Sequence, residues 1–377
     1  MVNRRLSKED VSKLLANTSG KVRAETAAKI ATDFGEGSLT EAERTMAENI
    51  FRVMVKDAEV RVREALAQNL KENPAVPHDV AKSLAQDVDS VALPVLQFSE
   101  VLTDRDLMEI VRSQDPAKQV AIAKRTRVSE SVSDALVETR NEEVVTNLVA
   151  NEGADISEES LTKVVEEMGE SEAVQSAMVR RPLLPVTVSE RLLTVVSENL
   201  KEELKKRQEL SEDMVTDLVL QSRERATIWL SAESNETDLL KLVGQLKHNG
   251  RLTPSIVLRA LCMGDLLFFE AAVAEMTGLS VVNARQLIYD SGSLGLKGLF
   301  EKTGLPETYY PAARAAIDVA AETHYDGGEN DRERYSRRMI ERILTQYGDL
   351  GVDLEADDLE YLLAKMGELP SDALNAA

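Results

Sequence analysis

A pair of helices that repeats along the first half of the chain constrains its fold more than any other feature. One helix of each pair opens on a valine, with gaps of 29, 29, 24 and 30 residues, at Val62, Val91, Val120, Val144 and Val174. The second helix contributes its own apolar residue, at Leu84, Ile110, Leu136, Val164 and Val195. Helix pairs recurring every ~20–50 residues are typical of an α-solenoid, in which each pair packs on its neighbours. The repeat therefore predicts an all-α fold.

The chain is predicted to divide into five segments. An N-terminal helical cap covers the open end of the repeats, since the first apolar face of a solenoid has no neighbour. Connecting long helices follow the repeats, and Trp229 near their end is predicted to be a packing anchor. A C-terminal helical module and an amphipathic helical tail with a frayed end complete the chain. In order, the segments are 1–58, 59–197, 198–235, 236–325 and 326–377.

Polar residues mark the predicted helix starts. Thr40 with Glu43 predicts a capping box, in which hydroxyl and carboxylate each satisfy a free backbone N–H. Thr103, Ser129 and Ser157 each stand just before a repeat helix, as N-cap residues do.

The charge of the chain bears on its partners. The net charge is −21, from 45 basic and 66 acidic residues. A surface this acidic repels phosphate backbones, and counterion release cannot supply general affinity for them. Nucleic acid is therefore not an expected partner.

Motifs of enzymes and of metal sites are missing from the sequence. It has no phosphate-cradling glycine loop, no Gly-x-Ser-x-Gly elbow and no His-Glu-x-x-His pair. The three histidines, His78, His248 and His324, are far apart in sequence, which argues against a metal site. We expect no catalytic residue, no metal ligand and no cofactor.

The sequence indicates a cytoplasmic protein. Cys262 is the single cysteine, so a disulfide framework within one chain is excluded. The most apolar stretch, residues 260–276, is interrupted by Asp265, Glu270 and Glu275, and these charges argue against a membrane span.

Arginines at the ends of repeat helices are the candidate binding residues. Arg125 and Arg127 end one repeat helix, Arg180 and Arg181 take the equivalent place two units later, and Asn151 lies between them. Stacked repeats would align these groups along one edge, where guanidinium forks suit carboxylate or phosphate. The alternative is structural, because cationic residues at helix C-termini complement the helix dipole.

A second arginine cluster lies in the predicted tail. Arg334 and Arg338 have an Arg-x-x-x-Arg spacing that some cyclic-dinucleotide sites use. A helix held by salt bridges explains the same spacing.

One long string carries a family resemblance. Residues 250–272, GRLTPSIVLRALCMGDLLFFEAA, resemble an uncharacterised bacterial family, domain of unknown function 2336. Asn283-Ala284-Arg285 and Leu296-Lys297-Gly298-Leu299 fit it too. The resemblance covers most of the chain and implies HEAT-like repeats, a helical module and an amphipathic tail. It implies no activity, so no catalytic residue is carried over.

These observations favour one function and leave two alternatives open. The predicted HEAT-like α-solenoid with its C-terminal module favours a non-enzymatic scaffold or adaptor that binds a protein or peptide partner. One alternative is a regulatory sensor that binds a small anionic ligand, a nucleotide or cyclic dinucleotide, through the arginines. The other is an enzyme whose carboxylates are scattered along the sequence.

Overall fold

A computed structural model of the chain describes residues 19–36, 39–113, 115–205, 212–290, 292–322, 338 and 342. Within these ranges the chain forms nineteen α-helices, one short 3-10 helix and no strand beyond an isolated bridge. The predicted all-α fold is confirmed. Packing divides the chain once, into the compact units Met1–Leu184 and Pro185–Ala377. The finer division into five segments stays a prediction.

The first unit is built from helix pairs packed in two rows. The first row contains α1, α3, α5, α7, α9 and α11, and each of these helices packs on the next. In the second row α2 packs on α4, α6 on α8, and α8 on α10. The helices are α1 Gly20–Gly35, α2 Glu41–Met54, α3 Val60–Leu70, α4 His78–Ala85, α5 Asp89–Phe98, α6 Asp104–Val111, α7 Pro116–Ala123, α8 Glu130–Val137, α9 Glu142–Ala150, α10 Glu158–Met168 and α11 Glu172–Arg180.

The repeat positions predicted in the first row are buried, with one exception. Each buried valine lies three residues after the N-cap of its helix: Val62, Val91, Val144 and Val174. In α7 the N-cap is Asp115, so the equivalent residue is Lys118, and Val120 is only half-buried. Lys118 packs its aliphatic stem there and donates from Nζ to the Asp87 carbonyl oxygen at 2.8 Å. The prediction at Val120 was wrong because a lysine holds the anchor position.

The second-row positions agree better with the predicted spacing. The buried residues in this row are Leu84, Ile110, Leu136 and Val164. Val195, the fifth predicted position, is half-buried and belongs to the second unit.

Most predicted caps are formed. Thr40 and Glu43 make the expected capping box at the start of α2. Thr103 makes a second box at α6, and the Ser157 hydroxyl accepts from a backbone N–H of α10. Ser129 is the N-cap of α8, but its side chain accepts no backbone hydrogen bond. Local polar chemistry therefore fixes where these helices begin.

The second unit surrounds one buried helix. Its helix α16 packs against α13, α14, α15, α17 and α18. Phe268 and Phe269 of α16 are fully buried, and Gly278 ends the helix with a φ of 72°. The helices are α12 Val186–Lys205, α13 Glu212–Ala232, α14 Glu236–His248, α15 Pro254–Cys262, α16 Leu266–Thr277, α17 Val281–Ile288, α18 Ser293–Thr303 and α19 Tyr310–Glu322, with the 3-10 helix Glu307–Tyr309 before α19.

The prediction that Trp229 is a packing anchor was wrong. Trp229 lies near the end of α13 and is 65% exposed. The neighbouring Ile228 is buried instead, because it faces the core of the second unit.

Candidate functional site

Two of the predicted ligand-binding residues cap helix ends within the first unit. Arg125 follows α7 and donates to the Leu96 and Ser99 carbonyl oxygens at the end of α5. Asn151 follows α9 and donates from Nδ2 to the Ala123 and Arg125 carbonyl oxygens, at 2.8 and 2.7 Å. Both side chains therefore reach back to the preceding helix of the same row.

Arg181 repeats this contact at the end of α11. Its Nη1 donates to the Val149 and Asn151 carbonyl oxygens at 3.2 and 3.1 Å. Its Nη2 donates to the Ala154 carbonyl oxygen at 2.6 Å. We call Arg125, Asn151 and Arg181 the capping ladder.

The capping ladder has a structural cause. The last carbonyls of an α-helix have no partner inside the helix, and each ladder residue supplies one from the next repeat. All three lie ten residues after their N-caps, which are Asp115, Asn141 and Ser171. Arg125 is 9% exposed, and burial lowers its pKa. The Arg125 guanidinium therefore stabilises the stacking of neighbouring repeats.

The other predicted site residues lie elsewhere. Arg127 and Arg180 are exposed and do not join the capping ladder. Arg338 is exposed as well. Arg334 lies outside the described residues. Within the first unit, Arg127 and Arg180 do not join the contacts of Arg125 and Arg181.

A cleft of about 430 Å³ opens beside the last rung of the ladder. It lies where the loops after α9 and α11 meet the start of α8. Leu183 at its edge is 85% exposed. The lining residues are Glu130, Glu152, Ala154, Asp155, Ile156, Arg181, Pro182 and Leu183.

Backbone contacts fix the loop that forms one wall of the cleft. Val128 N donates to the Gly153 carbonyl oxygen at 3.1 Å, and Asp155 N donates to the Val128 carbonyl oxygen at 2.9 Å. A Cβ at Gly153 would overlap the Thr126 carbonyl oxygen, so only glycine fits this approach. The wall is therefore tied to the repeat before it.

The cleft has an acidic lining. Within the described residues, the side chains of Glu130, Glu152 and Asp155 form no hydrogen bond and no ion pair. The Arg181 guanidinium lies beside them but donates to backbone carbonyls. Burial lowers the pKa of Arg181, and the Asp155 carboxylate acts in the opposite direction. Three carboxylates thus line the cleft without a direct ion pair, next to exposed apolar surface, and one of them, Asp155, already interacts with the Arg181 cation through space.

The sequence interpretation missed these carboxylates. Glu152 and Asp155 stand in a turn of the sequence, where charged residues are usually solvated. Only the proline after Arg181 signalled that the chain turns back near them. The neighbouring Arg181 predicted an anionic ligand instead.

A buried carboxylate links two helices of the second row. Asp106 of α6 accepts from Thr103 at its own N-cap, lies 2.6 Å from His78 Nε2 and pairs with Lys82 Nζ at 3.0 Å. Burial raises the pKa of Asp106, but these three partners outweigh it and hold that pKa well below its usual range. The ionised form therefore stabilises the pairing of α4 with α6.

This shift predicts a pH dependence. Since the pKa of Asp106 is lower in the folded state, its contribution is present above about pH 4 and is lost as the pH falls further. Asp106→Asn should lower the melting temperature at pH 7, and its difference from wild type should shrink below about pH 4. Melting followed by circular dichroism from pH 3 to 8 measures this. The exposed Asp89→Asn is the control, and a constant difference across the range would contradict the account.

The second unit contains a fully buried glutamate paired with arginine. Glu190 of α12 is completely buried and lies 2.5 Å from Arg251 Nη1. Gln245 Nε2 donates to the second carboxylate oxygen at 3.1 Å, and Arg251 also donates to Thr194. Burial lowers the pKa of Arg251, while the charge of Glu190 opposes that shift. The pair is held within a network of neutral donors.

Two further buried glutamates are paired in the same way. Glu224 of α13 lies 2.9 Å from Arg259 Nε. Glu270 of α16 lies 2.6 Å from Arg285 Nη2 and accepts from the Tyr289 hydroxyl at 2.8 Å. Pairing neutralises these carboxylates, so they provide no free acid–base pair.

Comparison with known proteins places the chain in a family. A family model described as "Uncharacterised protein conserved in bacteria (DUF2336)" matches residues 91–353. The chain belongs to this family. In this DUF2336 protein the matched region contains the capping ladder, the cleft and all three buried glutamate pairs. No curated protein and no solved structure matches the chain.

Across the described ranges, no single helix is long and apolar enough to cross a membrane, although the bent pair α16 and α17 would pass by length and composition together. The same ranges contain no group of three or more histidine, cysteine or acidic residues that could hold a metal ion.

Proposed function

We propose that this DUF2336 protein is a non-enzymatic helical-repeat adaptor, which binds a partner protein through a basic and apolar peptide segment. The observation that carries the proposal is the cleft beside Arg181, with three carboxylates that have no ion pair among the described residues. Helical repeats commonly present such extended surfaces to partners.

The charge of the cleft lining determines which class of ligand the cleft can bind. A lysine or arginine side chain entering the cleft would meet Glu130, Glu152 and Asp155. Such charge-assisted hydrogen bonds are stronger than neutral ones. An anionic ligand would meet the same three carboxylates, and the chain as a whole carries a net charge of −21. The cleft therefore favours a cationic ligand.

The apolar edge of the cleft favours a ligand with an aliphatic side chain next to its basic residue. Leu183 is exposed at the edge of the cleft, and Pro182 and Ile156 lie beside it. Covering these groups would remove apolar surface from water. A peptide with an aliphatic residue next to its basic residue satisfies both parts of the cleft, and a volume of about 430 Å³ accommodates two such side chains.

The contacts of the arginines argue against the sensor alternative. Arg125 and Arg181 already donate to five backbone carbonyls between them. Turning either guanidinium towards a nucleotide would leave helix carbonyls without a donor, at a cost of about 1–3 kcal/mol for each buried group. The paired state of Glu190, Glu224 and Glu270 likewise weighs against the enzyme alternative.

The proposal is tested by selecting peptides from a random displayed library on the full chain. Expected binders combine lysine or arginine with a neighbouring aliphatic residue. The variant Glu130→Lys/Glu152→Lys/Asp155→Lys should lose them. The variant Glu41→Lys/Glu138→Lys/Glu159→Lys changes the charge equally at exposed positions and should keep them. Enrichment of acidic peptides, no enrichment, or equal loss in both variants would refute the proposal.

A further inference from the structure

A short backbone bridge joins two neighbouring repeats of the first unit. Val128 directly precedes Ser129, the N-cap of α8, and forms an isolated parallel bridge with Ala154 in the loop after α9. The Val128 N–H donates to the Gly153 carbonyl oxygen, and the Val128 carbonyl oxygen accepts from Asp155 N. Both polar backbone groups of Val128 are therefore satisfied by the loop of the following repeat.

Ile156 occupies the same place one repeat later. It lies 28 residues after Val128 and directly precedes Ser157, the N-cap of α10. Within the part of the chain that the structure describes, however, the N–H and the carbonyl oxygen of Ile156 form no hydrogen bond. Ile156 lines the cleft beside Arg181. The cleft therefore contains one backbone donor and one backbone acceptor at the position where the previous repeat forms its bridge.

The contacts of the preceding residues fix the direction in which the Ile156 groups point. In an extended segment, the N–H and C=O groups of successive residues point to alternate sides. The Asp155 N–H points to Val128, whereas the Ala154 carbonyl oxygen accepts from Arg181 Nη2 on the other side, at 2.6 Å. Ile156 follows Asp155, so its groups point to the side of Arg181, which lines the cleft.

The capping ladder shows which residues would have to complete a bridge at Ile156. The bridging residues of the earlier loop stand two and four positions after Asn151. The same positions after Arg181 hold Leu183 and Pro185. The second position must donate an N–H, and proline has none. The loop after α11 therefore cannot repeat the bridge, and the Ile156 groups stay available to a ligand.

We infer that the cleft binds its peptide in an extended conformation, through a parallel backbone pairing with Ile156. One peptide carbonyl oxygen accepts from the Ile156 N–H, and the peptide N–H two residues further on donates to the Ile156 carbonyl oxygen. The loop after α9 makes the same two bonds with Val128. In strand addition of this kind, main-chain hydrogen bonds supply affinity and side-chain pockets supply specificity.

The inference rests on the proposed function, since it gives the conformation in which the basic and aliphatic side chains enter the cleft. A helical peptide does not match the Ile156 groups, because its own N–H and C=O groups are bonded within the helix. Covering Ile156 with such a helix would leave one donor and one acceptor unsatisfied. An extended peptide satisfies both.

Backbone N-methylation of a peptide tests this pairing without changing the protein. The probe is the capped peptide Ala-Ala-Leu-Arg-Leu-Ala-Ala, labelled with fluorescein, and each of its amides is N-methylated in turn. Fluorescence anisotropy with the full chain gives the dissociation constants. We expect one N-methyl position to weaken binding about tenfold and its two neighbours to change binding less than about twofold, because adjacent amides point to opposite sides. A scan without this alternation would overturn the inference.

Two variants at one position test the protein side of the pairing. Ile156→Pro removes the N–H that the peptide carbonyl needs and should weaken binding of the same probe about tenfold. Ile156→Val keeps the N–H and a similar side chain, so its affinity should stay within about twofold of wild type. Equal affinity of both variants would contradict the pairing.

The Glu130→Lys/Glu152→Lys/Asp155→Lys variant separates this inference from the proposed function. If the unmodified probe binds wild type but not this variant, while the N-methyl scan shows no alternation, then the adaptor proposal stands and the extended pairing is wrong. If the probe binds both proteins equally, or does not bind wild type, then both are wrong.

Discussion

Replacing Arg251 by methionine should lower the free energy of unfolding of the second unit by about 3–5 kcal/mol. The substitution removes the cation from Glu190, which is completely buried. Gln245 and Thr194 remain as hydrogen-bond partners, but they cannot balance the charge. The unpaired Glu190 carboxylate must then be protonated, or the unit must open locally so that water reaches it, and either change costs free energy.

The paired substitution separates charge from packing. Adding Glu190→Leu to Arg251→Met removes both charges and should recover much of the lost stability, because a buried ion pair is often replaceable by apolar side chains. Urea unfolding followed by far-ultraviolet circular dichroism measures both variants. If the double variant is less stable than Arg251→Met alone, then the network matters through its shape and hydrogen bonds, and the charge argument fails.

Arg125→Met should destabilise the first unit by about 2–4 kcal/mol, since it leaves two carbonyls at the end of α5 without their donor. Arg127→Met is the matched control, because Arg127 has the same charge two residues away and is exposed. It should change stability by less than about 0.5 kcal/mol.

The comparison of Arg125 with Arg127 also distinguishes the two interpretations of the ladder. Urea unfolding and amide hydrogen exchange at the end of α5 provide the measurement. Faster exchange there in Arg125→Met alone fits a structural cap. Equal stability of the two variants would show that the capping bonds contribute little, and would return Arg125 to the set of candidate ligand-binding residues.

Spacing and turn chemistry made the helix pairs predictable. Leu84, Ile110, Leu136 and Val164 are buried as expected because each lies seven residues after its N-cap. The register of α7 was harder to predict because Lys118 fills an apolar position with its stem. The apolar pattern treats lysine as a polar residue. A lysine at a buried position therefore interrupts the apolar pattern of the sequence, although the structural repeat of helix pairs continues.

The candidate site was less predictable than the fold. The arginines of the ladder are recognisable in the sequence, but their carbonyl partners lie 26 to 32 residues away. The cleft combines residues from three separate segments of the first unit, so no local pattern contains it. Glu270 did offer a signal, because a charge buried inside the apolar run of α16 requires an oppositely charged partner, here the partly exposed Arg285.

The exposure of Trp229 could not be predicted from the sequence. A tryptophan beside Ile228 on a long helix is equally compatible with the core and with an interface, since both remove apolar surface from water. The helix turns Ile228 inward and Trp229 outward, and only the packing of α13 decides which.

The most direct test of the adaptor account is a titration of one selected basic peptide, labelled with a fluorophore, against wild type and the Glu130→Lys/Glu152→Lys/Asp155→Lys variant. Fluorescence anisotropy gives both dissociation constants. The account predicts binding at least tenfold weaker in the variant, and weaker wild-type binding at higher salt because surface charges are screened. Equal affinity of the two proteins would contradict it, since the peptide would then bind outside the acidic cleft.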